Sequence, residues 1–242
     1  MRPEVGRIQS LGLVMACAAI AACAPAKITT TVSPALEQYQ VRSIVMMPFD
    51  RLMTPQILDS PESQFSVPRG ARRSDIQVPP APSGGHLDRE TSTVPSVVPE
   101  KIGDMIYRNL VKRGGLQVRP QEAAAAALRA TGSGAPGTLP QQTAKEVIRN
   151  TRSDAALLGR VLVYRERDGS RWGANPAIVG FEIKLVGSDG IILWTANYYE
   201  KQRPLIEDFT GFWQHGGGFV TADELAEYGA DRIVRQFPFG NP

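Results

Sequence analysis

Two cysteines and two histidines are all that 242 residues offer for thiol or metal chemistry. That is too few for a structural zinc site, a disulfide framework or a thiol enzyme with its partners. His215 stands in Gly211-Phe212-Trp213-Gln214-His215-Gly216-Gly217-Gly218-Phe219. A serine or metal mechanism needs such a histidine joined by a positioned Asp, a Ser or a second ligand, and no motif supplies one. Gly216-Gly217-Gly218 is not followed by Gly-Lys-Ser/Thr, which excludes a P-loop. Glu166, Glu182 and Glu200 are spaced so that neighbouring strands could bring them together as a glycosidase pair. Arg165 and Lys184 travel with them, and solvent-facing charge on a sheet is the simpler reading. Aromatics gather in Phe209, Phe212, Trp213 and Phe219, and a further indole stands in Arg171-Trp172-Gly173. They either close the end of the core or form a docking patch, since aromatics dominate interface hot spots. The expectation is a chain with no catalytic residues, no cofactor and no metal, whose partner contacts include Trp172, Phe212 and Trp213.

The amino terminus is the most informative stretch. Arg2 and Arg7 precede a run from Ile8 to Ala22 in which only Gln9 and Ser10 are polar. A basic start, a short apolar run and small residues at its end describe a secretory signal peptide over residues 1–22. A membrane-spanning helix needs roughly 20 apolar residues. Ile20-Ala21-Ala22-Cys23 then resembles the lipobox of bacterial lipoproteins. The resemblance implies cleavage before Cys23, a diacylglycerol on its thiol and an acylated (typically palmitoylated) new amino terminus. Each buried methylene contributes about 0.8 kcal/mol, and a single chain anchors only marginally; the implied three chains anchor permanently. Cys17 leaves with the signal, so the mature chain keeps no free thiol. Ala24 after the cysteine implies, by the same resemblance, sorting to the outer membrane, with the protein facing the periplasm.

The elements that must position any site follow from pattern. Residues 23–40 are short and polar and read as a lipidated tether, of which residues 24–40 would span roughly 55–60 Å if fully extended. Val41–Phe49 is an apolar run suited to a strand covered on both faces. Residues 51–97 hold seven Pro, seven Ser and one aromatic, Phe65; without periodicity they read as a disordered insertion. Its cluster of Arg69, Arg72 and Arg73 is either solvated or an anion contact. Ser96 and Pro99 open a helix whose face is Ile102, Met105, Ile106 and Leu110, ended by Gly114-Gly115. Leu116-Gln117-Val118 is a short strand, Glu122–Ala130 a helix by propensity, and Thr143 with Glu146 a capping box opening another. Three antiparallel strands follow. Leu157, Val161 and Val163 share one face of the first; Val179, Phe181, Ile183 and Leu185 point inward from the second. Ile192, Trp194, Ala196 and Tyr198 do so from the third. A second capping box, Thr221 with Glu224, begins a helix with the stripe Ala226, Gly229, Ala230, Ile233, Val234 and Phe237. Its small residues imply close approach to the sheet. The fold class is α/β: a mixed sheet of about five strands, with an antiparallel three-strand meander in its second half, packed with amphipathic helices. Residues 41–50 and 98–238 form the single domain.

Pro48-Phe49 after an apolar first strand, Gly115-Leu116, and Asp154-Ala155 before Gly159 together resemble a bacterial superfamily. It contains the curli-secretion lipoproteins, the peptidoglycan-synthase-activator lipoproteins and the amino-terminal domain of the Tol translocation protein. These are folding motifs, and what they imply is a fold and an accessory role. The net charge of +3 argues against nucleic acid as a partner. The expected function is that of a non-catalytic, outer-membrane-anchored accessory or assembly subunit of an envelope complex, bound to an unidentified envelope protein, with homo-oligomerisation open. The alternatives are a peptidoglycan-acting hydrolase, which needs a cleft with convergent carboxylates, and a solute-binding transport auxiliary, which needs a deep apolar pocket.

Overall fold

In the computed structural model, residues 28–54, 56–57, 91–132, 140–169, 175–202 and 220–241 are described. The elements run β1 (Ile28–Val32), a 3-10 turn (Pro34–Gln38), β2 (Ser43–Met46), β3 (Asp50–Arg51), β4 (Gln56–Ile57), β5 (Thr91–Ser92), α1 (Val98–Val111) and β6 (Gln117–Arg119). Then come α2 (Gln121–Thr131), α3 (Pro140–Thr151), β7 (Ala155–Arg165), β8 (Ile178–Gly187), β9 (Ile192–Lys201) and α4 (Ala222–Arg235).

The apolar run around β2 lets it sit inside the sheet, between β7 and β6 and covered on both faces. Ile44 and Met46 pack into one core, and Val45 and Met47 into the other. The sheet order is β1-β9-β8-β7-β2-β6, with β3 also on β7. β2 is parallel to β6 and β7, while β1, β9, β8 and β7 are successively antiparallel. The α/β class, the mixed sheet and the meander are as the sequence implies, but the sheet has seven strands.

The extra strands come from segments assigned other roles. Ile28–Val32, read as tether, pairs residue for residue with β9, from Ile28 opposite Tyr198 to Val32 opposite Trp194. Three β-branched threonines suit an edge strand, and Ile28 packs on the core. Residues 51–97 are not uniformly an insertion either. Asp50–Arg51 pairs with β7, Gln56–Ile57 pairs with Thr91–Ser92, and Val94 is buried. Residues 58–90 lie outside the described ones.

α1 and α4 cover the face bearing Ile44, Leu157, Phe181 and Trp194; α2 and α3 cover that of Val45, Ala156 and Val186. The expected stripe of α1 is buried, with Ile102 and Leu110 fully so. Its N-cap is Val97 rather than Ser96, with no side-chain capping bond. The Thr221–Glu224 box of α4 is present in both directions, whereas α3 starts at Pro140 and places Thr143 inside the helix. Two register shifts move two residues from their expected face. The ladder slips between Val161 and Val163, so Val163 packs with Ile178 in a small cluster apart from the main core. A second slip where Leu185 meets Trp194 and Val186 meets Ile192 puts Ile192 on the α2–α3 side.

Candidate functional site

The residues singled out for function (Cys23, Trp172, Phe212 and Trp213, with His215) all lie outside the described residues. Their flanking stems do not. Asp168 N–H donates to Asn175 O at 2.9 Å, closing the base of the segment that carries Trp172. Val220 N–H donates to the buried Gln202 Oε1 at 2.8 Å, closing the base of 203–219. Arg165 pairs with Ile178, and Ile178 with Lys201. Both stems therefore leave the same end of the sheet. β1 begins near that end, since Ile28 pairs with Tyr198, and Cys23 is five residues before it.

Ionisable groups at this end hold elements together. Glu166 accepts from Ala222 N–H through both carboxylate oxygens at 3.2 Å, adding negative charge at the start of α4, where the helix dipole favours it. Asp223 in the first turn of α4 accepts from Tyr164 Oη and Lys101 Nζ. Burial pushes the Asp223 carboxyl up, but the bonds from Lys101 and Tyr164 and the Lys101 charge outweigh it and hold the carboxyl below its ordinary value. The Tyr164 phenol is pushed well up, by burial first and then by Asp223. Tyr198 Oη donates to buried Glu200 Oε2 at 2.7 Å, and burial raises the Tyr198 phenol further still.

The glycosidase-like arrangement is not formed as a set. Glu182 lies between Phe181 and Ile183, which face the main core, so its side chain is on the other face, where it pairs with Lys184 at 2.8 Å. Glu200 pairs in register with Val179 and is 4% exposed on the core side. The sheet itself separates these two carboxylates. Among the described residues no group of three or more His, Cys, Asp or Glu could hold a metal ion. Also among them, no helix is long and apolar enough to cross a membrane.

Two clefts remain. One, of about 390 Å³, lies where β2 ends and α1 and α2 begin, between Phe49, Asp50, Pro99 and Gln121. Ligands favour the carboxyl ends of parallel strands, but three of the polar groups here are engaged with the fold. Gln121 Oε1 accepts from Phe49 N–H at 3.1 Å, Asp50 pairs with Arg160, and Arg51 Nη1 donates to Val94 O at 2.7 Å. The other cleft, of about 600 Å³, runs along α3 and is lined by Lys145, Glu146, Arg149, Arg152, Ser153 and Ser188, with Gln142 and Ile148. Neither the Arg149 nor the Arg152 guanidinium has a hydrogen-bond or ion-pair partner among the described residues. Sequence reasoning missed this cluster. Its signal was Lys145, Arg149 and Arg152 at helical spacing, with Arg152 where a helix-ending glycine would be expected.

No protein-family model matches the chain, and no curated protein does. Among solved structures, the PelC dodecamer from Paraburkholderia phytofirmans is similar at 12% identity and a TM-score of 0.42, over 86% of this chain and 93% of that one. The LpoB C-terminal domain from Salmonella enterica is similar at 12% identity and a TM-score of 0.34, over 70% and 94%. Lipoprotein GNA1162 from Neisseria meningitidis is similar at 12% identity and 0.35, over 72% and 89%. At these values the likenesses assign this chain neither a family nor an activity.

Proposed function

We propose that this protein is a lipid-anchored, periplasm-facing accessory subunit of an outer-membrane envelope complex, working by binding rather than catalysis. The observation that carries the proposal is Ile20-Ala21-Ala22-Cys23 directly before a folded domain whose first strand starts at Ile28. Five residues reach at most about 18 Å, so the anchor holds the domain close to the bilayer. The separation of Glu182 from Glu200 by the sheet, and the use of Glu166 and Asp223 at the start of α4, support binding over hydrolysis. Trp172, Phe212 and Trp213 belong to segments rooted at the anchor end of the sheet, and loops on a rigid scaffold are where binding resides.

Photocrosslinkers at Trp172 and Trp213 in intact cells test this reading. Capture of the same envelope protein from both positions, and not from buried Phe181, is the expected result. Hydrolysis of purified peptidoglycan by the isolated chain, abolished by Glu182→Gln, would overturn it.

A further inference from the structure

The C-terminal end of α3 carries a choice of residue that its backbone does not favour. Arg152 N–H bonds back to Arg149 O at 3.4 Å and Ser153 N–H to Ile148 O at 3.1 Å. This is the paired closure of a Schellman motif, which places Arg152 at the left-handed position after the helix. Its φ is +51°, and it is the only non-glycine residue with positive φ among the described ones. α2 ends on a left-handed glycine, Gly132 at φ +62°, as the missing Cβ makes easy. The helix dipole favours cations in a last turn, and Arg149 already answers that. It does not require a side chain at the left-handed position.

We propose that Arg152, with Arg149 and Lys145, forms a binding site for a phosphate-type oxyanion. All three side chains are exposed along one cleft. Two guanidinium forks give bidentate geometry for tetrahedral or planar oxyanions, and Ser188 adds a hydroxyl. One carboxylate, Glu146, lines the same cleft. A second, Asp189, stands near Lys145 but accepts from Tyr39 Oη and Ile191 N–H. Ile148 is the one large apolar residue in the lining, which suits a hydrophilic ligand.

Position says where the ligand comes from. The cleft adjoins Ser188, at the far end of β8 from Ile178, while Ile28 is level with Phe181 through Tyr198. Seven residues of strand separate those levels, about 23 Å, more than the five-residue tether spans. A domain that stands on its Ile28 end holds the cleft away from the bilayer, so the source of the oxyanion in this proposal is the aqueous side and not a headgroup of the anchoring membrane. That placement rests on lipidation of Cys23; the site itself does not.

The test is inorganic phosphate titrated into the mature lipoprotein in neutral detergent, followed by the backbone amide NMR signals of residues 149–153 and 188. Saturable shifts of the amides at positions 149, 152 and 188, weakened at least tenfold in Arg149→Gln/Arg152→Gln and unchanged in Arg129→Gln, are expected. Arg152→Gly should weaken binding while raising the melting temperature, which separates loss of the ligand from loss of the fold. Shifts that do not saturate, or that survive the double substitution, would overturn the site. In a second arm the protein sits in phosphatidylcholine vesicles with or without phosphatidylglycerol. No response to the anionic lipid is expected, and a response there without free phosphate would overturn the placement.

Discussion

Gly159 and Gly229 show why single residues matter here. A Cβ at Gly159 would overlap the ring of Phe49, and one at Gly229 would come within 2.5 Å of Tyr198 Cδ1. The Phe49 ring thus lies directly on β7, and α4 lies directly on β9. Either glycine replaced by alanine forces its neighbour out of a packed core, and overpacking of this kind costs about 1–3 kcal/mol. Urea denaturation of Gly159→Ala and Gly229→Ala should show that loss; unchanged midpoints would mean the rings are not seated there. Phe181→Ala, at a fully buried ring 5.3 Å from Tyr198, should cost about 3–5 kcal/mol.

Asp154 ties β2 to β7 at the same scale. Its Oδ2 accepts from Arg42 N–H at 2.9 Å, Ser43 N–H at 2.8 Å and Ser43 Oγ at 2.9 Å. Burial raises its carboxyl, but these bonds and the Arg42 charge bring it below the ordinary value, and Asp189 and Asp223 are lowered likewise. A carboxyl depressed in the folded state stabilises fully above its unfolded pKa, about 3.9. That stabilisation is lost as pH falls through the folded value. Stability should therefore drop on acidification below about pH 4, and Asp154→Asn should be less stable at pH 7 with a shallower acid decline. An identical pH profile in the variant would contradict the role given to Asp154.

Among the elements, the ends of the 51–97 stretch matter more than its composition suggests. Replacing residues 58–90 with a short Gly/Ser linker should preserve cooperative melting. Replacing all of 51–97 should not, because Arg51 donates to Val94 O and Val94 is buried against the core. Equal melting of both chains would show that β3 and Val94 contribute nothing. Long periodic segments were legible in the sequence: the stripes of α1 and α4, the β8 face and the α4 capping box all stand as read. What was not legible is non-local. Ile28–Val32 is polar and short, and only pairing with β9, 162 or more residues away, makes it a strand. The faces of Val163 and Ile192 depend on register slips between strands, which no single strand's alternation reveals. The anion cleft hid because a left-handed arginine looks like any other exposed arginine until its φ is known.

For the whole molecule, the short distance from Cys23 to β1 couples the anchor to the fold. Once Ile28 is part of the sheet, the tether read from sequence over residues 23–40 contracts to the residues before Ile28. On the proposed lipidation of Cys23, the domain would sit near the bilayer, with the stems of its aromatic-rich segments at the Ile28 end of the sheet and its basic cleft at the other. All of this depends on Cys23 carrying the lipid. The most direct test is mass spectrometry of the amino-terminal peptide from membrane fractions of wild-type and Cys23→Ser cells. The account predicts a wild-type chain that begins at an acylated Cys23 and fractionates with outer membrane, and an unprocessed precursor in the variant. A wild-type chain beginning elsewhere, or a Cys23→Ser chain that is still cleaved and still found with outer membrane, would contradict it.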